Sequence, residues 1–179
     1  MSIRPVHLLG SPALRERAKE IGASVDHEVR QLVEDLRETM HVYKGVGLAA
    51  NQIGVARRVA VVETDDTELV VLIDPVIVQR EGEIVDEEGC LSIPDIYGDV
   101  KRSANIVVET TTLDGDRVRV PASELKSRAI QHEIDHLDGI LFLDRLNLLT
   151  RQFKLRKWKN QRKGETSLFR EVPATPAEA

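Results

Sequence analysis

The sequence has a single cysteine, Cys90, so no disulfide can form within the chain. The fold must therefore stand on packing alone, and no oxidising compartment is required. Aromatic residues make up only 3% of the 179 positions, which leaves Val, Ile, Leu and Ala to build the core. No apolar run approaches the ~18 residues that span a bilayer. The opening residues, MSIRPVHLLGSPALRERAKEIG, lack the long apolar centre of a secretory signal, and acidic residues come too early for a transit peptide. Excess positive charge is missing too: the net charge is −5, which excludes nucleic-acid binding by bulk electrostatics. A cytoplasmic protein without membrane contact is the resulting expectation.

What is present suits one globular domain, over residues 1–165, with 166–179 as a disordered tail whose end reads EVPATPAEA. Pro12 is placed to open a short helix through Leu14 and Ala18. The segment 26–43 is an amphipathic helix: Asp26 is the N-cap, and Val29, Leu32, Val33, Leu36 and Met40 recur on one face. Segments 58–63, 69–74, 76–79, 106–112 and 117–120 read as strands rich in β-branched residues. Turn signals separate them at Asp65-Asp66, Asp74-Pro75, Glu81-Gly82 and Asp114-Gly115, and 113–117 reads as a hairpin turn. A second long helix spans 123–137, with Ser123 as cap and Gly139 at its stop. A last helix spans 148–160. The expected class is α+β, with mostly antiparallel sheets around the central helix at 123–137, an N-terminal amphipathic helix and a C-terminal helix.

Chemistry concentrates in three segments. The first is QHEIDH at 131–136, an H-E-x-x-H pattern. On a helix, His132 and His136 share a face and can converge on one metal ion, with Glu133 beside them to handle a proton. Leu125 and Ala129 lie on that face. Two core histidines satisfied by ordinary hydrogen bonds are the bland alternative. A catalytic zinc-type site wants a third ligand and an open position. Cys90, in EEGCLSIP, is the outstanding candidate, against the alternative of a small buried hydrophobe. The third segment is GVGLAANQ at 45–52. Its glycines admit close backbone approach, and Gln52 offers a neutral amide to a developing oxyanion. A Gly-bounded packing loop is the competing explanation.

Together and in order, these segments resemble the bacterial-type peptide deformylases, whose motifs are GxGLAAxQ, EGCLS and QHExDH. Here they read GVGLAANQ at 45–52, EGCLS at 88–92 and QHEIDH at 131–136. GSPALRERAKEI and HLDGILFLDRL extend the likeness over roughly residues 3 to 160. The resemblance implies hydrolysis of the formyl group from N-formyl-methionyl nascent peptides, with release of formate. It implies one divalent metal ion bound by Cys90, His132 and His136, Fe²⁺ in the cell, with Zn²⁺, Ni²⁺ or Co²⁺ as substitutes. Glu133 would be the general acid/base, and Gln52 and the Leu91 N–H would bind the carbonyl oxygen. Gly47 would contact the peptide backbone, and Ala129 and His132 would line the methionine pocket. Tyr97 stands where some members have an arginine that helps hold the substrate backbone. Glu88 and Arg102 are expected to pair and hold the Cys90 loop.

Two other functions fit single motifs. An H-E-x-x-H metallopeptidase or aminopeptidase fits QHEIDH but not a cysteine ligand. A non-catalytic ribosome- or RNA-binding protein with a structural metal needs neither Glu133 nor Gln52. The stretch from Arg151 to Lys163 carries seven cations and no acid, with Leu148, Leu149, Phe153, Leu155 and Trp158 interspersed. It is either a solvated helix face or a contact for ribosomal RNA.

Overall fold

The computed structural model describes residues 3–22, 24–64 and 68–173. In chain order the strands and helices are β1 (Val6–His7), α1 (His27–Val42), β2 (Gly47–Ala49), β3 (Val59–Val62), β4 (Val70–Glu81), β5 (Ile84–Cys90), β6 (Ile93–Arg102), β7 (Asn105–Thr111), β8 (Arg117–Ser123), α2 (Glu124–Leu137), α3 (Phe142–Arg145), α4 (Leu148–Gln161) and β9 (Phe169–Arg170). Short 3₁₀ turns occupy Pro12–Arg15 and Ala50–Ile53. A five-stranded sheet runs β2-β3-β4-β7-β8, and β5-β6 and β1-β9 form two-stranded ribbons. Every strand pair is antiparallel. The fold is α+β.

The centre of the sheet is buried on both faces. On β3, Val59 and Val61 pack towards α1 with Leu32, Leu36 and Met40. Ala60 and Val62 face the other way, towards Ile130, Ile134 and Leu137 of α2. This follows from the period of two along a strand. Small residues on the α2 side, Ala49 and Ala60, let that helix lie close to the sheet. A third cluster, around Ile93, Ile96, Phe142 and Trp158, seats α3 and α4 on β6. Among the described residues, no helix is long and apolar enough to cross a membrane.

The expected caps differ in outcome. Asp26 accepts from Val29 N–H at 2.9 Å, as its spacing requires. Ser123 occupies the N-cap of α2, but its side chain makes no capping bond. Glu124 N–H is taken instead by Ala104 O, from the turn before β7. Gly139 ends α2 at φ +74°, and a Cβ there would lie 2.6 Å from the Arg15 carbonyl.

Four expectations need correction. Asp74-Pro75 does not end a strand: β4 runs through it with a register shift between Ile73 and Val76, a bulge with Asp74 at φ 47°. β5 and β6 were hidden by their polarity, because Arg102 and Glu88 occupy buried positions that an apolar alternation would fill. The turn at Pro12 stops at Arg15 and does not reach Ala18. The segment 166–179 is not all tail. Phe169 and Arg170 pair with His7 and Val6, and Leu8 N–H bonds Leu168 O at 2.8 Å. Residues 174–179, and the Asp65-Asp66 turn signal, lie outside the described residues.

Candidate active site

From Ser127 onward the α2 helix is buried on every side. His132 and Glu133 face a cleft with His136 behind them, Ile130, Ile134 and Leu137 face the sheet, and Arg128, Gln131 and Asp135 are also buried. Each of these three finds a partner, as buried polar groups must. Arg128 bonds Asp86 at 2.6 Å, Gln131 bonds Ser103 through both N–H and C=O, and Asp135 accepts from Arg102 and Arg145.

Cys90 ends β5, so the β5–β6 ribbon carries its thiol onto the turns of α2 that hold the histidine pair. Its Sγ lies 3.2 Å from His136 Nε2, which lies 3.1 Å from His132 Nε2. All three donors fall within 4.8 Å of one another. Two imidazole nitrogens on one tetrahedral ion would be about 3.3 Å apart, and a sulfur and a nitrogen about 3.6 Å. The donors thus fit one divalent transition-metal ion, and sulfur with two imidazoles excludes Mg²⁺ or Ca²⁺ as natural occupants. His132 Nδ1 lies 3.1 Å from Glu88 Oε2, which leaves Nε2 for the ion.

Behind the cluster runs a buried chain of charges. Arg102 grips Glu88 through two bonds of 2.9 Å and reaches Asp135 at 2.5 Å. Asp135 is also held by Arg145. The expected Glu88–Arg102 pair is therefore present. Asp135 and Arg145 were not anticipated as its extension, although Asp135 is a fixed position of the QHExDH motif. Asn51 also gains a role: its Nδ2 donates to the His136 carbonyl and ties β2's following turn to α2.

The cleft itself is a cavity of about 400 Å³. Gly47, Gln52, Cys90, Leu91, Ala129, His132 and Glu133 line it, while His136 lies behind, 1% exposed. Gln52 Oε1 accepts from Ala49 N–H at 2.9 Å, which aims its Nε2 at Ser92 Oγ (3.1 Å) and, weakly, at Cys90 Sγ (3.6 Å). A Cβ on Gly47 would come within 2.9 Å of the Glu133 carboxyl carbon, so only glycine leaves room for that side chain. Glu133 Oε2 is buried without a partner among the described residues, as is His136 Nδ1.

Electrostatics set these groups apart. Burial pushes Glu133 up to about 7. Burial also pushes His136 well below the usual imidazole value, helped by the neighbouring His132. For His132 burial is outweighed by bonds to Cys90 and Glu88, which hold it well above that value. Burial opposes ionisation of Glu88 as well, yet Arg102 and His132 bring it down to about 2.

In the metal-free protein Glu88 therefore stabilises the fold fully above its unfolded value of 4.5, and this stabilisation is lost as pH falls through about 2. Glu88→Gln should remove on the order of 3 kcal/mol of acid-dependent stability. Urea unfolding of both proteins at a series of acidic pH values checks it, and equal pH slopes would contradict the assignment.

The sequence profile of the polypeptide deformylase family matches residues 3–152. A peptide deformylase of Acidobacterium capsulatum is 44% identical over 170 residues, covering 92% of this chain and 99% of that one. The crystal structure of a peptide deformylase from Legionella pneumophila superposes with a TM-score of 0.84 at 37% identity, covering 89% of this chain and 95% of that one. One from Synechococcus elongatus, in complex with actinonin, gives 0.80 at 38% identity, covering 85% of each chain. The chain belongs to the polypeptide deformylase family.

Proposed function

We propose that this chain hydrolyses the formamide of N-formyl-methionyl peptides, giving formate and a free amino terminus. One observation carries the reading: an unpaired, buried Glu133 carboxylate opens onto the same cleft as the Cys90–His132–His136 cluster. A structural metal site has no use for such a group.

Cys90, His132 and His136 would hold one divalent ion, Fe²⁺ in the cell, with Zn²⁺, Ni²⁺ or Co²⁺ able to substitute. Bound there, it supplies Lewis acidity, lowering the pKa of water from 15.7 towards about 7. Glu133 takes the proton of the water that attacks the formyl carbon. It then delivers that proton to the departing amine nitrogen. Burial suits it to both tasks, since a carboxyl poised near 7 can accept and release a proton at neutral pH. A cation beside it draws that value down and favours the base.

Gln52 Nε2 and the Leu91 N–H bind the formyl oxygen as it gains charge. The long contact from Gln52 to Cys90 Sγ is the weaker of its two donations, and it is the one a substrate oxygen would replace. Gly47 brings β2's backbone to the peptide. Ala129 and His132 line the methionine pocket together with Leu125, which is 46% exposed at the cleft.

The basic helix α4 is proposed as a ribosomal contact. Trp158 is buried on the body of the protein, whereas Leu148, Leu149 and Phe153 are exposed among the cations. Such a mixed surface suits RNA with protein beside it. The enzyme would then work in the cytoplasm on emerging chains.

Glu133→Gln, loaded with the same metal, should lose about 10²–10⁴-fold in formate release from a formyl-methionyl dipeptide. Activity within a few-fold of wild type would remove Glu133 from the mechanism. Replacing the exposed cations of α4 by Ala should weaken co-sedimentation with ribosomes and flatten its salt dependence. Unchanged co-sedimentation would remove the docking role.

A further inference from the structure

Three cations line the cleft: Lys44, Arg128 and Arg170. Arg128 is committed, with one nitrogen on Asp86 Oδ2 and another on the Glu87 carbonyl, each at 2.6 Å. Lys44 is exposed. Arg170 is held in place but not used up. It arrives on β9, whose pairing with β1 brings the end of the described chain back to the cleft. Its guanidinium lies 5.2 Å from the centre of the Tyr43 ring, and the Tyr43 hydroxyl donates to the Arg170 carbonyl at 3.1 Å. One nitrogen donates to the Leu91 carbonyl at 3.3 Å. No carboxylate among the described residues forms an ion pair with it.

A guanidinium carries five N–H donors, so one bond to Leu91 leaves most of them unspent. Its place is defined by that same bond. Leu91 supplies the N–H assigned above to the formyl oxygen, and its carbonyl is one residue's breadth away. The Arg170 donors therefore sit within about 10 Å of the formyl oxygen's position, no more than about three residues of extended peptide. Gly45, Val46 and Gly47 line the same cleft, and Gly47 opens strand β2 beside that path. The Tyr43 face and the β1–β9 pair fix the fork before substrate arrives, so little freedom is lost on binding.

We propose that Arg170 is a substrate-positioning residue that donates to a main-chain carbonyl of the peptide beyond the formyl-methionine. It reads the presence of further residues, not their side chains. The proposal rests on the deformylase reading of the site. It gives the C-terminal strand a use beyond packing, because β9 is the element that carries the contact.

The test is a comparison of KM and kcat for formyl-Met amide, formyl-Met-Ala-Ser amide and formyl-Met-Ala-Ser acid, on wild type, Arg170→Ala and Arg170→Gln, all with measured metal content. The melting temperature of each variant is recorded alongside. For both tripeptides KM should rise about 10-fold in either variant, the value of one charged hydrogen bond, with kcat within about 2-fold. For the single-residue amide the rise should be under about 2-fold. Arg170→Lys should restore part of the tripeptide affinity. A rise confined to the free acid would assign Arg170 to the terminal carboxylate of short peptides and overturn a contact with longer chains. Equal changes for all three substrates, in step with a lower melting temperature, would leave Arg170 only structural and also overturn it. Absence of formate release by metal-loaded wild type would instead remove the deformylase reading itself.

Discussion

The site depends on one buried guanidinium. Arg102, with a side chain only 4% exposed, ties Glu88 on β5 to Asp135 on α2. Without it, Glu88 would keep only His132 and Asp135 only the half-exposed Arg145, and nothing would join the two carboxylates. With it, Glu88 stays ionised, accepts the Nδ1 side of His132 and turns Nε2 towards Cys90 and His136. The ribbon that carries the thiol and the helix that carries the imidazoles are thereby fixed in one register. Breaking such a buried pair by removing one partner costs about 3–5 kcal/mol, because the remaining charge has no water to turn to.

The fold serves this arrangement. From Ser127 onward α2 is buried all round, because Arg128, Gln131 and Asp135 are answered by neighbours and because Ala49 and Ala60 let it approach the sheet. Gly47 extends the same economy of space to the cleft, where its missing side chain is filled by the Glu133 carboxylate. The cleft is thus bounded on one edge by an extended backbone and on the other by the Cys90–Leu91 turn. This geometry suits a peptide lying between them.

Much of this was legible in the sequence, where local rules govern. The face of α1, the cap at Asp26, the hairpin at 113–117 and the co-facing histidines follow from period and turn chemistry. Three short motifs in order carried the family likeness. What escaped were features made by distant partners. β5 and β6 read as polar because Glu88 and Arg102 are satisfied by each other. The bulge at Asp74 read as a turn, since nothing local says that the strand resumes after Pro75. Asn51 fell at a variable motif position, yet its amide holds the carbonyl of His136. The tail composition of 171–179 masked the two residues of β9 just before it, and with them the arrival of Arg170 in the cleft.

The central claim is that one sulfur and two imidazole nitrogens hold a single ion and leave a position open for water and substrate. X-ray absorption spectroscopy on the Co²⁺-loaded protein tests it most directly. One sulfur at about 2.3 Å, two imidazoles at about 2.1 Å and one further light atom are expected, with the sulfur signal lost in Cys90→Ser. A shell without sulfur, or one closed by four protein ligands, would contradict it.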